Sequence, residues 1–178
     1  MSAAAGAVAA ERSASWRRSW LAPAAWGAGL ILAGMGAASI VTGALDARIA
    51  GFAGVSLGVA ALIWGGACLA RGRIVAPRIA IAGMIAALVD LGALLATTGG
   101  RASVVAAASA GALLLACAAL SGVESRRRAA PSPVRIVPLL LAATLVAALG
   151  TPALGAVQDA ATLRSDGTVP VIDPHHGH

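Results

Sequence analysis

Residues 24–70 read AAWGAGLILAGMGAASIVTGALDARIAGFAGVSLGVAALIWGGACLA, two apolar runs with only Asp46 and Arg48 charged between them. Crossing about 30 Å of hydrocarbon at about 1.5 Å per residue takes roughly 20 residues in a helix. The runs 24–45 and 49–70 both meet that length, and a link of Asp46, Ala47 and Arg48 forces them into an antiparallel hairpin. Three more runs qualify, at 79–98, 102–122 and 136–156, and Gly99, Gly100 and Arg101 join the first two of these into a second hairpin. The sequence therefore predicts an all-α integral membrane protein with the lipid bilayer as its first partner. It divides into a cytoplasmic arm 1–23, a four-span unit 24–122 (24–72 and 73–122), an Arg/Pro loop 123–135, a fifth span 136–156 and a polar tail 157–178.

Composition supports this reading. The 178 residues are 59% hydrophobic and 11% charged, against roughly half and a quarter in soluble domains. The net charge of +6 would raise nucleic acid as a partner in a soluble chain. Here the arginines flank apolar runs, where setting orientation in the bilayer explains them, so no nucleic-acid partner is expected. Arg12, Arg17, Arg18, Arg71, Arg73, Arg78, Arg126, Arg127, Arg128 and Arg135 fall on one side of the membrane and Arg48, Arg101 and Arg164 on the other. Positive residues stay cytoplasmic, which puts the N-terminus inside and, after an odd number of spans, the tail outside. Trp16, Trp20 and Trp26 cluster at the inner end of span one, where an amphipathic ring prefers the headgroup layer. Residues 11–20 read equally as a polar arm or an interfacial helix.

Sliding the chain against itself by 49 positions aligns the two hairpins without a gap: Met35 meets Met84, Gly43 meets Gly92 and Cys68 meets Cys117. The pattern predicts duplicated hairpins running in the same direction, with span five outside the repeat. Gly54 and Gly58 form a GxxxG face in span two. Lipid tails are as apolar as Leu, so such small residues join helices by letting backbones come close.

Among residues that could carry chemistry, Asp90 stands out as an acid near the middle of span three. A charge at that depth costs about 2.5–3.5 kcal/mol on insertion scales, so the residue is expected to face the bundle, stay protonated or have a partner. Ser109 and Thr144 fall at similar depths and are candidate hydrogen-bond donors to it. A proton or cation relay, a polar lock onto another subunit and a carboxyl tolerated in the core are all compatible with one isolated acid. Cys68 and Cys117 read as small buried thiols at the inner ends of their spans, kept reduced there.

The pentapeptide 54–58, GVSLG, matches the nucleophile-elbow pattern, but that chemistry needs a strand-to-helix turn and a histidine base. Here the pattern lies inside an apolar run and every histidine is in the tail. With no phosphate-binding loop, HExxH or CxxC, the expectation is a non-enzymatic protein. The tail closes on Asp173, Pro174, His175, His176, Gly177 and His178. Its imidazoles and carboxylate form a candidate Cu(II), Ni(II) or Zn(II) site, with a plain solvated terminus as the alternative. Arg126–Arg128, the apolar run after them and Ala153-Leu154-Gly155 also fit an internal reverse anchor or a cleavable signal-like segment.

Two C-terminal stretches, Thr151-Pro152-Ala153-Leu154-Gly155-Ala156 and Pro174-His175-His176-Gly177-His178, resemble those of uncharacterised small multi-spanning membrane proteins of high-GC Gram-positive bacteria. In those proteins the last span runs into a Thr-Pro-Ala-Leu-Ala-like segment and a tail ending in Pro-His-Gly-His-like residues. Gly155 and the doubled histidine depart from that pattern. The resemblance implies a bacterial host and no activity. The function expected from the sequence is an accessory or interaction subunit that meets another membrane protein or a second copy of itself. A small transporter or metal-handling protein using Asp90 and the histidines is the alternative.

Overall fold

The computed structural model describes residues 2–98, 103–125 and 136–162. They form five helices: α1 (Ser2–Thr42), α2 (Leu45–Arg71), α3 (Pro77–Thr97), α4 (Val104–Ser125) and α5 (Ile136–Thr162). Each contains a segment long and apolar enough to cross a membrane: Ser19–Val41, Leu45–Arg71, Pro77–Thr97, Val104–Val123 and Ile136–Asp159. The fold is all-helical, and span five runs unbroken through Ala153-Leu154-Gly155.

Two boundaries differ from the sequence expectation. No break separates the arm 1–23 from span one, because its many alanines are the best helix formers and continue straight into α1. The first reversal falls at Gly43 and Ala44, ahead of the Asp46–Arg48 trio taken as the link. The Gly43 amide bonds Ser39 O (2.9 Å) to close α1, and Ala44 O accepts the Arg48 amide (2.9 Å) to open α2. Asp46 thus lies in the first turn of α2, where the positive end of the helix favours a carboxylate. Arg48 turns back and donates Nε–H to Gly43 O (3.0 Å).

Helix α1 is the hub, packing against all four others, whereas α5 touches only α1 and α4. In the spanning segments 56% of α1 is buried but only 17% of α5, so one helix is enclosed and the other mostly faces outward. The α1–α2 contact is made of glycines seven residues apart, a spacing near 3.5 per turn that keeps one seam turned to its partner. A Cβ on Gly58 would stand 2.5 Å from Gly29 O, and one on Gly36 would stand 2.5 Å from Gly51 O. The backbones are in contact with nothing between them. At the same seam Gly65 leaves room for the Trp26 ring (2.9 Å to its Cδ1), and Trp26 Nε1–H donates to Leu62 O (3.0 Å).

The connection from α2 to α3 is gripped through one residue. Val75 donates its N–H to Cys68 Sγ (3.3 Å) and accepts Trp64 Nε1–H at its carbonyl (2.7 Å). Trp64 and Cys68 stand one turn apart on α2, so the end of that helix holds both polar groups of the loop residue. Gly72, left-handed at φ 59°, closes α2, a conformation glycine adopts without a Cβ clash. Ala76 is also left-handed (φ 46°) and precedes Pro77, which opens α3.

Replacing Gly36 or Gly58 by Ala should lower stability by about 1–3 kcal/mol, because the added methyl meets backbone that cannot turn aside. Gly66, also on α2, has open space where a Cβ would stand; Gly66→Ala should be neutral or stabilising by up to about 1 kcal/mol through helix propensity. Thermal unfolding of the three variants in mild detergent checks this ordering.

Candidate functional site

Asp90 faces the bundle, as its depth in an apolar span requires. Only 8% of it is exposed, and its Oδ2 has no hydrogen-bond partner among the described residues. The seat is provided by a missing side chain. A Cβ on Gly54 would lie 3.0 Å from Asp90 Oδ2, 3.4 Å from Leu94 Cδ1 and 3.5 Å from Leu32 O. The carboxyl of α3 therefore rests on the bare backbone of α2, at a recess that a carbonyl of α1 also borders, where three helices meet.

The candidate donors fare differently. Thr144 is exposed on α5, a helix that does not touch α3, and its hydroxyl donates to Leu140 O (2.9 Å) one turn back. It is removed from the site: depth along a span gives height in the membrane but not direction around the helix, and a threonine in a helix can satisfy itself on the preceding turn. Ser109 is half-buried on α4 and makes no bond to Asp90 Oδ2. Gly54 and Gly58, read together as one face, serve two neighbours, since Gly58 meets Gly29 of α1 while Gly54 receives Asp90 of α3.

Both cysteines are free and buried. Cys117 on α4 donates Sγ–H to Leu21 O of α1 (3.8 Å), and Cys68 accepts from Val75. Their roles are structural contacts to backbone. The signal for the Cys68 grip is a Trp one turn before a Cys at the end of an apolar run, which hydropathy does not register. A further group that sequence reading missed is Ser121 on α4, fully buried with a hydroxyl that has no partner among the described residues.

Two apolar cavities lie elsewhere in the bundle, and Asp90 lines neither. One, of about 230 Å³, lies among α1 to α4 and reaches from Trp64 and Ile79 to Leu32 and Cys117. The other, about 450 Å³, runs between α1 and α5. Among the described residues no three His, Cys, Asp or Glu side chains come together to hold a metal ion. The candidate ligands Asp173, His175, His176 and His178 lie outside the described residues. Chemically, one carboxyl in apolar surroundings can hold or release a single proton, or accept one donor group.

Compared with protein families, with curated proteins and with solved structures, the chain has no significant match.

If Gly54 is the seat of Asp90, the two substitutions cannot act independently. Gly54→Ala should destabilise the protein, and Asp90→Ala should remove part of that penalty, leaving a coupling of about 0.5–3 kcal/mol in a double-mutant cycle. Gly54→Ala paired with Thr144→Ala should be additive within about 0.5 kcal/mol. Equilibrium unfolding of the single and double variants measures both cycles.

Proposed function

We propose that the protein is a non-enzymatic accessory or interaction subunit of a membrane complex, meeting another membrane protein or a second copy of itself within the bilayer. The observation that carries this reading is the outward face of α3. Ala82, Ala86, Val89, Ala93 and Ala96 are all exposed along one side of that helix, and Gly92 at its edge has open space where a Cβ would stand. A face of such small groups lets a second helix approach closely, and in lipid it is close approach that joins helices. The glycines first suspected of this role, Gly54 and Gly58, are already occupied inside the molecule.

The setting we propose is a bacterial cytoplasmic membrane, with the N-terminus inside and the tail outside. Ten arginines against three support that orientation. We also propose that the first four spans arose by duplication of a hairpin. Met35 and Met84 are similarly buried, at 5% and 7% exposure, and Cys68 and Cys117 are both buried. Asp90 is one place where the copies part: its counterpart Val41 is 77% exposed. A second reading, a small transporter or metal-handling protein, draws support from the unpartnered Asp90 Oδ2 in the interior.

Extraction from native membranes in mild detergent should bring down a companion membrane protein or a dimer in stoichiometric amount. Ala86→Leu and Ala93→Leu should release it, while Ala148→Leu on the exposed side of α5 should not. A chain that always travels alone as a monomer overturns the subunit reading and leaves the transporter.

Orientation is tested separately. A membrane-impermeant thiol reagent applied to intact cells should label a cysteine placed at Ser165 and miss one placed at Ser125. Equal labelling of the two would contradict the five-span topology.

A further inference from the structure

The groove between α1 and α5 is lined on α5 from Leu139 to Leu154, a run of about 22 Å along a helix. Helix α1 closes its floor where Gly27 meets Val146, and Leu154 approaches Gly34 (3.2 Å to the Cβ position). The wall offers no free polar group: Thr151, which lines it, donates its hydroxyl to Ala147 O (2.8 Å), and Trp26 is bonded to Leu62 O. Toward the Leu154 end, Gly150 is itself buried, yet a Cβ there would meet no atom within 4 Å. The missing side chain leaves sheltered empty space.

The lining points to the occupant. The groove is apolar along its whole length and open along one side, which suits a single acyl chain laid lengthwise. Charge selects the other end. Ala22 and Leu69 belong both to this groove and to a small neighbouring cleft lined by Cys68, Gly72 and Arg73. Arg73 is exposed there, in a connection flanked by Arg71 at the end of α2 and Arg78 at the start of α3, with no acid among residues 71–78. A cation thus stands at the mouth of an apolar channel, just beyond the end of the apolar span of α2, and basic pockets between spanning helices favour anionic headgroups.

We infer that the α1–α5 groove is a binding site for one anionic glycerophospholipid, with an acyl chain lying in the channel past Gly150 and the phosphate on Arg73. The site is independent of any companion protein, because every group it uses belongs to this chain.

The test uses the full-length protein purified in mild detergent. It is titrated with phosphatidylglycerol and with phosphatidylcholine bearing identical chains, and the bound lipid is read by native mass spectrometry. Phosphatidylglycerol should be retained at least about tenfold more strongly, a difference of about 1.4 kcal/mol. Gly150→Leu should abolish retention by filling the channel, whereas Gly155→Leu, on the same helix and also unobstructed but outside the groove, should leave it unchanged. Arg73→Gln, on an exposed side chain, should reduce phosphatidylglycerol to the level of phosphatidylcholine without loss of fold. Equal retention of the two lipids by the natural protein, or full phosphatidylglycerol retention in Gly150→Leu or Arg73→Gln, would overturn the inference.

Discussion

Helices α1 and α2 touch backbone to backbone over Gly29, Gly36, Gly51 and Gly58, and the arrangement of the other three helices follows from that contact. Apolar side chains gain little by leaving lipid for protein, so the attraction available is close dispersion contact, which falls away when a gap opens. Residues without side chains remove the gap. Once α1 is drawn against α2 along its length, its remaining sides are free for α3, α4 and α5, and it becomes the enclosed helix of the bundle.

The same economy of side chains prepares the seat of Asp90. An acid in the middle of an apolar helix is tolerated when it is turned away from lipid, and Gly54 provides the recess into which it turns. The Leu32 carbonyl borders the same recess. The α2–α3 connection is held just as economically, by a tryptophan N–H and a thiol acting on one residue. Those two contacts determine where α3 begins and therefore which of its faces meets α2.

Helix α5 stands apart from this scheme. It rests on α1 and α4 alone, outside the glycine seam, and its own glycines Gly150 and Gly155 meet nothing. A helix that packs over part of its length leaves a channel along the rest, open to the outside of the bundle and bordered at one end by the arginine-bearing turn. Loose packing here and tight packing at α1–α2 are two outcomes of one composition, decided by whether a glycine has a backbone opposite it.

From the sequence alone come the number of helices, their approximate limits, the arginine asymmetry and the expectation that Asp90 faces inward. These follow from local quantities: length and apolarity decide what can cross a bilayer, and charge decides what must avoid lipid. The direction each residue takes around its helix was not legible. In spans built of Ala, Gly, Val and Leu all sides are apolar, so no polar face marks the outside, and small-residue patterns recur everywhere. That is why Thr144 could be matched to Asp90 by depth although it faces outward on another side of the bundle, and why Gly54 and Gly58 read as a single face with no partner assigned. Only the packed structure decided that Gly54 seats a carboxyl while Gly58 seats a backbone. The reason is that rotation about a helix axis is set by the neighbours it meets, and those neighbours are far away in sequence.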